Sequence, residues 1–98
     1  MHPVIFTRPA RAELIDAQDW YENEAPGLGR YFRAAIDAVI QRMSTDPLHF
    51  PVVHKIIRRG LLHRFPYALM FVVEPDETLT VIACFHCSRD PAHWQTRS

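Results

Sequence analysis

Ala25-Pro26-Gly27-Leu28-Gly29-Arg30-Tyr31-Phe32-Arg33-Ala34-Ala35-Ile36-Asp37-Ala38-Val39-Ile40-Gln41-Arg42-Met43 is the stretch that decides the fold of this chain. Its first five residues are turn chemistry, with Pro and Gly breaking whatever precedes them. Leu28, Phe32, Ala35, Ile36, Val39, Ile40 and Met43 then recur at i, i+4, i+7, i+8, i+11, i+12 and i+15, the apolar stripe of an amphipathic helix. Asp46-Pro47 stops it. Upstream, Ala10, Leu14, Ala17 and Tyr21 follow the same period and predict an earlier helix. Thr7 is its N-cap and Pro9 sits in the first turn, where a missing N–H does no harm. Arg11, Glu13, Asp16, Asp19 and Glu22 read as its solvated, mainly acidic side. So short a connection folds the two helices into an antiparallel hairpin, because both stripes need one common core.

Further outward, Val4-Ile5-Phe6 reads as a short buried strand. After Pro51 the period changes from helical to extended. Ile56-Ile57 and Leu61-Leu62 flank Arg58-Arg59-Gly60, which predicts a strand, a turn or bulge at Gly60, and a second strand start. Tyr67 to Val73 is apolar on both alternating faces, as in a central strand. Pro75-Asp76-Glu77-Thr78 is a turn, and Leu79 to Phe85 is a further apolar strand, so the two form a hairpin. Asp90-Pro91 introduces a short terminal helix containing Trp94. The expected fold is α+β with the order β-α-α-β-β-β, a helical hairpin packed on one face of a small, mainly antiparallel sheet, and a short C-terminal helix.

The 98 residues imply a single domain, 1–98. Apolar residues make up 48% of the chain, which argues against disorder. No apolar run approaches the roughly 18 residues needed to cross a bilayer, and the N-terminal apolar segment is too short for a signal peptide. A cytoplasmic location with reduced thiols and no membrane partner is expected. Eleven basic residues balance eleven acidic ones, and a neutral, apolar small protein tends to associate.

Against that neutrality, His54 to Tyr67 holds Lys55, Arg58, Arg59 and Arg64 with two histidines and no carboxylate. This local cationic run marks a contact surface for nucleic acid or an acidic protein segment, or else a soluble sheet edge. It is expected to leave one side of the sheet open and positive.

The order of elements, with these residues on it, resembles the RelE/ParE toxin superfamily of bacterial type II toxin–antitoxin modules, the plasmid stabilisation proteins. The resemblance runs nearly end to end. It is carried by Trp20-Tyr21, Pro26-Gly27-Leu28-Gly29, Phe32, Pro47 with Phe50-Pro51, Arg58-Arg59, Arg64-Phe65-Pro66-Tyr67, His86, Arg89-Asp90-Pro91 and Trp94. It implies a growth inhibitor held in a hetero-oligomer with a cognate antitoxin and needing no cofactor. Some relatives cut mRNA in the ribosomal A site and others poison DNA gyrase.

If the chain is a metal-independent endoribonuclease, His86 is the candidate general acid or base, and Arg58, Arg64 and Arg89 are the candidate phosphate holders. Otherwise His86 caps a strand, while Lys55, Arg58, Arg59 and Arg64 grip the target or antitoxin carboxylates. Trp20 is either an interface anchor or a packing residue, and Trp94 a packing residue. The departure from the ribonuclease pattern favours gyrase. There is one lysine, Lys55, no tyrosine follows Tyr67, and a protein that neutralises many phosphates is ordinarily basic. A degenerate module that only binds antitoxin is the third reading. Cys84-Phe85-His86-Cys87 is formally a C-x-x-C, but residues three apart on a strand point to opposite faces, so buried, inert thiols are expected and no metal site.

Overall fold

A computed structural model describes residues 1–97. The chain runs β1 (Val4–Phe6), α1 (Arg8–Glu24), α2 (Leu28–Thr45), a 3₁₀ turn (Pro47–His49), β2 (Val52–His54), β3 (Ile57–Leu61), β4 (Tyr67–Val73), β5 (Leu79–His86) and α3 (Ala92–Gln95). Thr7 caps α1 as its position predicts, its Oγ1 accepting the Ala10 N–H at 3.2 Å. Ala10, Leu14 and Ala17 are buried on α1, and Phe32, Ile36, Val39 and Met43 on α2. The helical hairpin is as the periodicity predicts, and a short terminal helix follows Asp90-Pro91 as expected.

The joint between the helices rests on Gly27 and Glu22. Gly27 has φ +90°, a left-handed conformation that glycine adopts without steric cost. It has no side chain to cap α2, so the Glu22 carboxylate reaches over from α1. Its two oxygens accept the Gly27 N–H at 3.1 and 3.0 Å, and Oε1 also accepts the Gly29 N–H at 3.0 Å. These hydrogen bonds and the cap's negative charge both favour the start of α2.

The sheet has five strands in the order β1-β5-β4-β3-β2. The expected antiparallel hairpin is β4–β5, and β1 joins it on the far side of β5, running parallel. Both faces of β4 and β5 are buried. Leu69, Phe71, Leu79, Val81 and Cys84 meet the two helices. Ala68, Met70, Val72, Ile82, Ala83 and Phe85 form a second apolar layer with Ile57 and Trp94. Each large side chain buried this way contributes on the order of 1.5–3 kcal/mol. A bulge lets Ile82 and Ala83 share the Trp94 layer: Met70 pairs with Ala83 and Phe71 with Val81, leaving Ile82 unpaired.

The expected turn or bulge at Gly60 is not there. β3 continues through it, and the chain reverses at Lys55-Ile56 and at 62–66 instead. Gly60 is glycine for proximity: a Cβ there would lie 2.8 Å from Val39 Cγ1 and 3.3 Å from Phe50 Cε2. The reversal at Lys55 also frees Val52–His54 to form a short edge strand. The outer face of the sheet is apolar and carries Trp94, so the expected open cationic side is absent there.

Candidate functional site

Three elements converge at the end of the sheet where β5 finishes, β4 starts and α1 ends. Tyr21, Phe32, Phe65 and Tyr67 stack and abut edge-on with centroid separations of 4.9–6.1 Å. Trp20 stands outside this cluster, edge-on to Tyr21 at 5.0 Å and 56% exposed. Its indole is thus left largely in solvent, with only one edge-on aromatic contact to hold it. Trp94 is the opposite case, 4% exposed and packed as expected.

Beside Trp20 opens a cavity of about 240 Å³ lined by Glu13, Asp16, Ala17, Tyr67, Cys84, His86 and Arg89. His86 and Tyr67 are cross-strand partners with ring centroids 5.0 Å apart. The His86 Nδ1 accepts the Ser88 N–H at 3.1 Å and lies 2.7 Å from Ser88 Oγ. In the neutral ring this places the proton on Nε2. Burial pushes the Tyr67 hydroxyl above its ordinary value, with Tyr21 and Cys84 adding and Arg89 opposing. The Cys84 thiol is pushed up to about 12 by burial and then by the Glu13 charge, so it is inert as expected. Cys87, expected buried, is exposed, because β5 ends one residue before it. Among the described residues no three His, Cys, Asp or Glu side chains converge as metal ligands.

The cationic run does not act as one patch. Lys55, at φ +52°, forms the tip between β2 and β3, whereas Arg64, at φ +72°, lies in the exposed loop beyond the other end of β3. That loop is tied beside the end of β5 by the Cys87 N–H donating to the Pro66 carbonyl at 2.8 Å. Arg58 Nη1 donates to the Phe50 carbonyl at 2.7 Å, and the Arg59 Nε is buried with no acceptor. Of the four candidate ribonuclease residues, the structure therefore brings His86 and Arg89 to one cavity, sets Arg64 at the same end, and holds Arg58 elsewhere. Strand geometry explains the split: four cations spread over ten residues, on one strand and the reversals at its two ends, cannot share one location.

Sequence reasoning assigned Glu13 to the solvated side of α1, and this is corrected. Its carboxylate pairs with Arg97, Nη1 to Oε1 and Nη2 to Oε2 both at 3.0 Å. Oε1 also accepts the Cys84 N–H at 3.1 Å, and Arg97 Nη1 donates to the Ile82 carbonyl at 2.9 Å. The pair thus closes the edge of β5 beyond the short β1. The signal was present, since Glu13 lies three residues after Ala10 and four before Ala17, on the buried stripe.

The chain matches the family model described as the ParE toxin of the type II toxin-antitoxin system, parDE, over residues 4–91. Its fold is similar to a chain of the chromosomal ParDE toxin–antitoxin system from P. aeruginosa, with a TM-score of 0.70 at 20% identity, covering 88% of this chain and 96% of that one. It is also similar to a chain of the RelBE2 toxin–antitoxin complex from Mycobacterium tuberculosis, with a TM-score of 0.58 at 20% identity, covering 87% and 96%. No curated protein sequence matches it.

Proposed function

This chain belongs to the ParE toxin family of type II toxin–antitoxin systems, and on that premise we propose that it arrests growth in the cytoplasm by binding DNA gyrase and trapping cleaved DNA, with a cognate antitoxin as its neutralising partner. The observation that carries the choice of gyrase over RNA is the make-up of the Trp20 cavity. Beside His86 and Arg89 it presents the Asp16 carboxylate, which repels a phosphate backbone, while Glu13 is already paired with Arg97. Arg58, the intended phosphate holder, donates to a backbone carbonyl instead. A half-exposed Trp on a rigid aromatic floor suits a protein surface better. No helix is long and apolar enough to cross a membrane.

The test combines purified gyrase, supercoiled plasmid and this chain. Gyrase-linked, cleaved DNA is the expected product, reduced at least tenfold by Trp20→Ala with the unfolding midpoint unchanged. Intact plasmid alongside mRNA cleaved in induced cells, with His86→Ala abolishing that cleavage, would instead establish the ribonuclease reading. Neither effect in a folded protein would leave a module that only binds antitoxin.

A further inference from the structure

A second cavity lies away from the Trp20 site, on the opposite flank of the sheet. It measures about 540 Å³ and runs between the C-terminal half of α2, the 3₁₀ turn and β3. Its apolar parts are Phe50, Pro51 and Leu61, the last 50% exposed. Arg42 stands across it, its guanidinium 5.6 Å from the Phe50 ring centre and its Nη2 only 3.5 Å from the Leu61 carbonyl, at the limit of hydrogen bonding. Arg59 lines the same space with its unpaired, buried Nε. The lone carboxylate there, Asp46, is engaged by His49 Nδ1 at 2.6 Å. The groove is therefore apolar at its base and cationic along its walls.

The backbone beside it is open as well. β2 pairs with β3 only through Arg58 and Ile57, and the Arg59 N–H donates to the Pro51 carbonyl. The Leu62 N–H turns inward to the Tyr67 carbonyl, so the Leu61 N–H points outward, past the place where β2 begins. An extended chain laid there meets a free sheet edge, an apolar slot and two guanidiniums at once.

We infer that this groove is the docking site of an extended acidic segment, which pairs with β3 at Leu61, inserts a bulky apolar side chain against Phe50 and Pro51, and sets carboxylates on Arg42 and Arg59. The inference rests on the toxin–antitoxin reading, under which that segment belongs to the antitoxin. It places the neutralising contact on the flank away from Trp20, so neutralisation works without covering the whole target-binding end.

The test uses the full chain with the purified protein encoded beside it as its antitoxin. Arg42→Glu and Leu61→Glu, both at exposed positions, are expected to weaken binding at least tenfold each, whereas Ile5→Ser on the opposite sheet edge leaves it unchanged. In the wild-type complex the Leu61 amide gains protection from hydrogen exchange at least tenfold. Wild-type affinity in both charge-reversal variants, with Leu61 exchanging freely in the complex, overturns the inference and leaves the antitoxin reading standing. No binding by the wild-type chain overturns both.

Discussion

At the scale of single residues, Gly60 fixes how closely α2 approaches the sheet, because its missing methyl is the space that Val39 and Phe50 occupy. Gly60→Ala is expected to destabilise the fold by about 1–3 kcal/mol, as overpacking of a filled core does. Urea unfolding measures this directly, and an unchanged midpoint would mean that α2 can retreat without loss. The same residue shows why sequence reading faltered here. Glycine in an apolar run marks either a turn or a close approach, and only the partner surface distinguishes them. Thr7 and Trp94 were legible because a cap and a buried indole are decided by local context. Arg58 and Arg59 were not, because their fate depends on a carbonyl eight residues away and on how tightly the edge of the sheet is closed.

Among the elements, the helical hairpin is held at its joint by one carboxylate. Hydrogen bonds from the Gly27 N–H, and then from the Gly29 N–H, keep the Glu22 carboxyl below its ordinary value. A group with a lowered folded pKa stabilises the fold fully above its unfolded pKa, about 4.3 for Glu, and loses that contribution as pH falls through the folded value. Thermal melts across pH 2–6 are therefore expected to show a drop in midpoint on the acid side that Glu22→Gln reduces. A remaining part comes from Asp76, whose carboxyl is lowered by Thr78 in the β4–β5 turn. An identical acid limb in the variant would remove Glu22 from the account. At this scale α1, α2, β4 and β5 were readable because each buries a long stripe with its own period. β2 was not: three residues in a shifted register carry no period to read.

Over the whole molecule, a contact spanning 84 positions, Glu13 to Arg97, ties the chain's last helix region to its first helix. Both side chains are only a quarter exposed, so the pair is screened less than a surface bridge. Arg97→Ala leaves the Ile82 carbonyl without its donor and is expected to cost about 1–3 kcal/mol, the range for a buried polar group left unsatisfied. Chemical denaturation checks the energy, and faster exchange of the Cys84 amide checks the cause. Stability and exchange both unchanged would show that water replaces the guanidinium without loss. Such distant pairings are invisible in a single sequence, as is the choice of β5 as the neighbour of β1.

That choice has a consequence for synthesis. Val4, Ile5 and Phe6 can find their places beside Leu79, Thr80 and Val81 only once those residues have left the ribosome, so the chain emerges with its opening strand unmatched throughout translation. The sheet is completed late, in one closing step that joins nearly the whole length of the polypeptide.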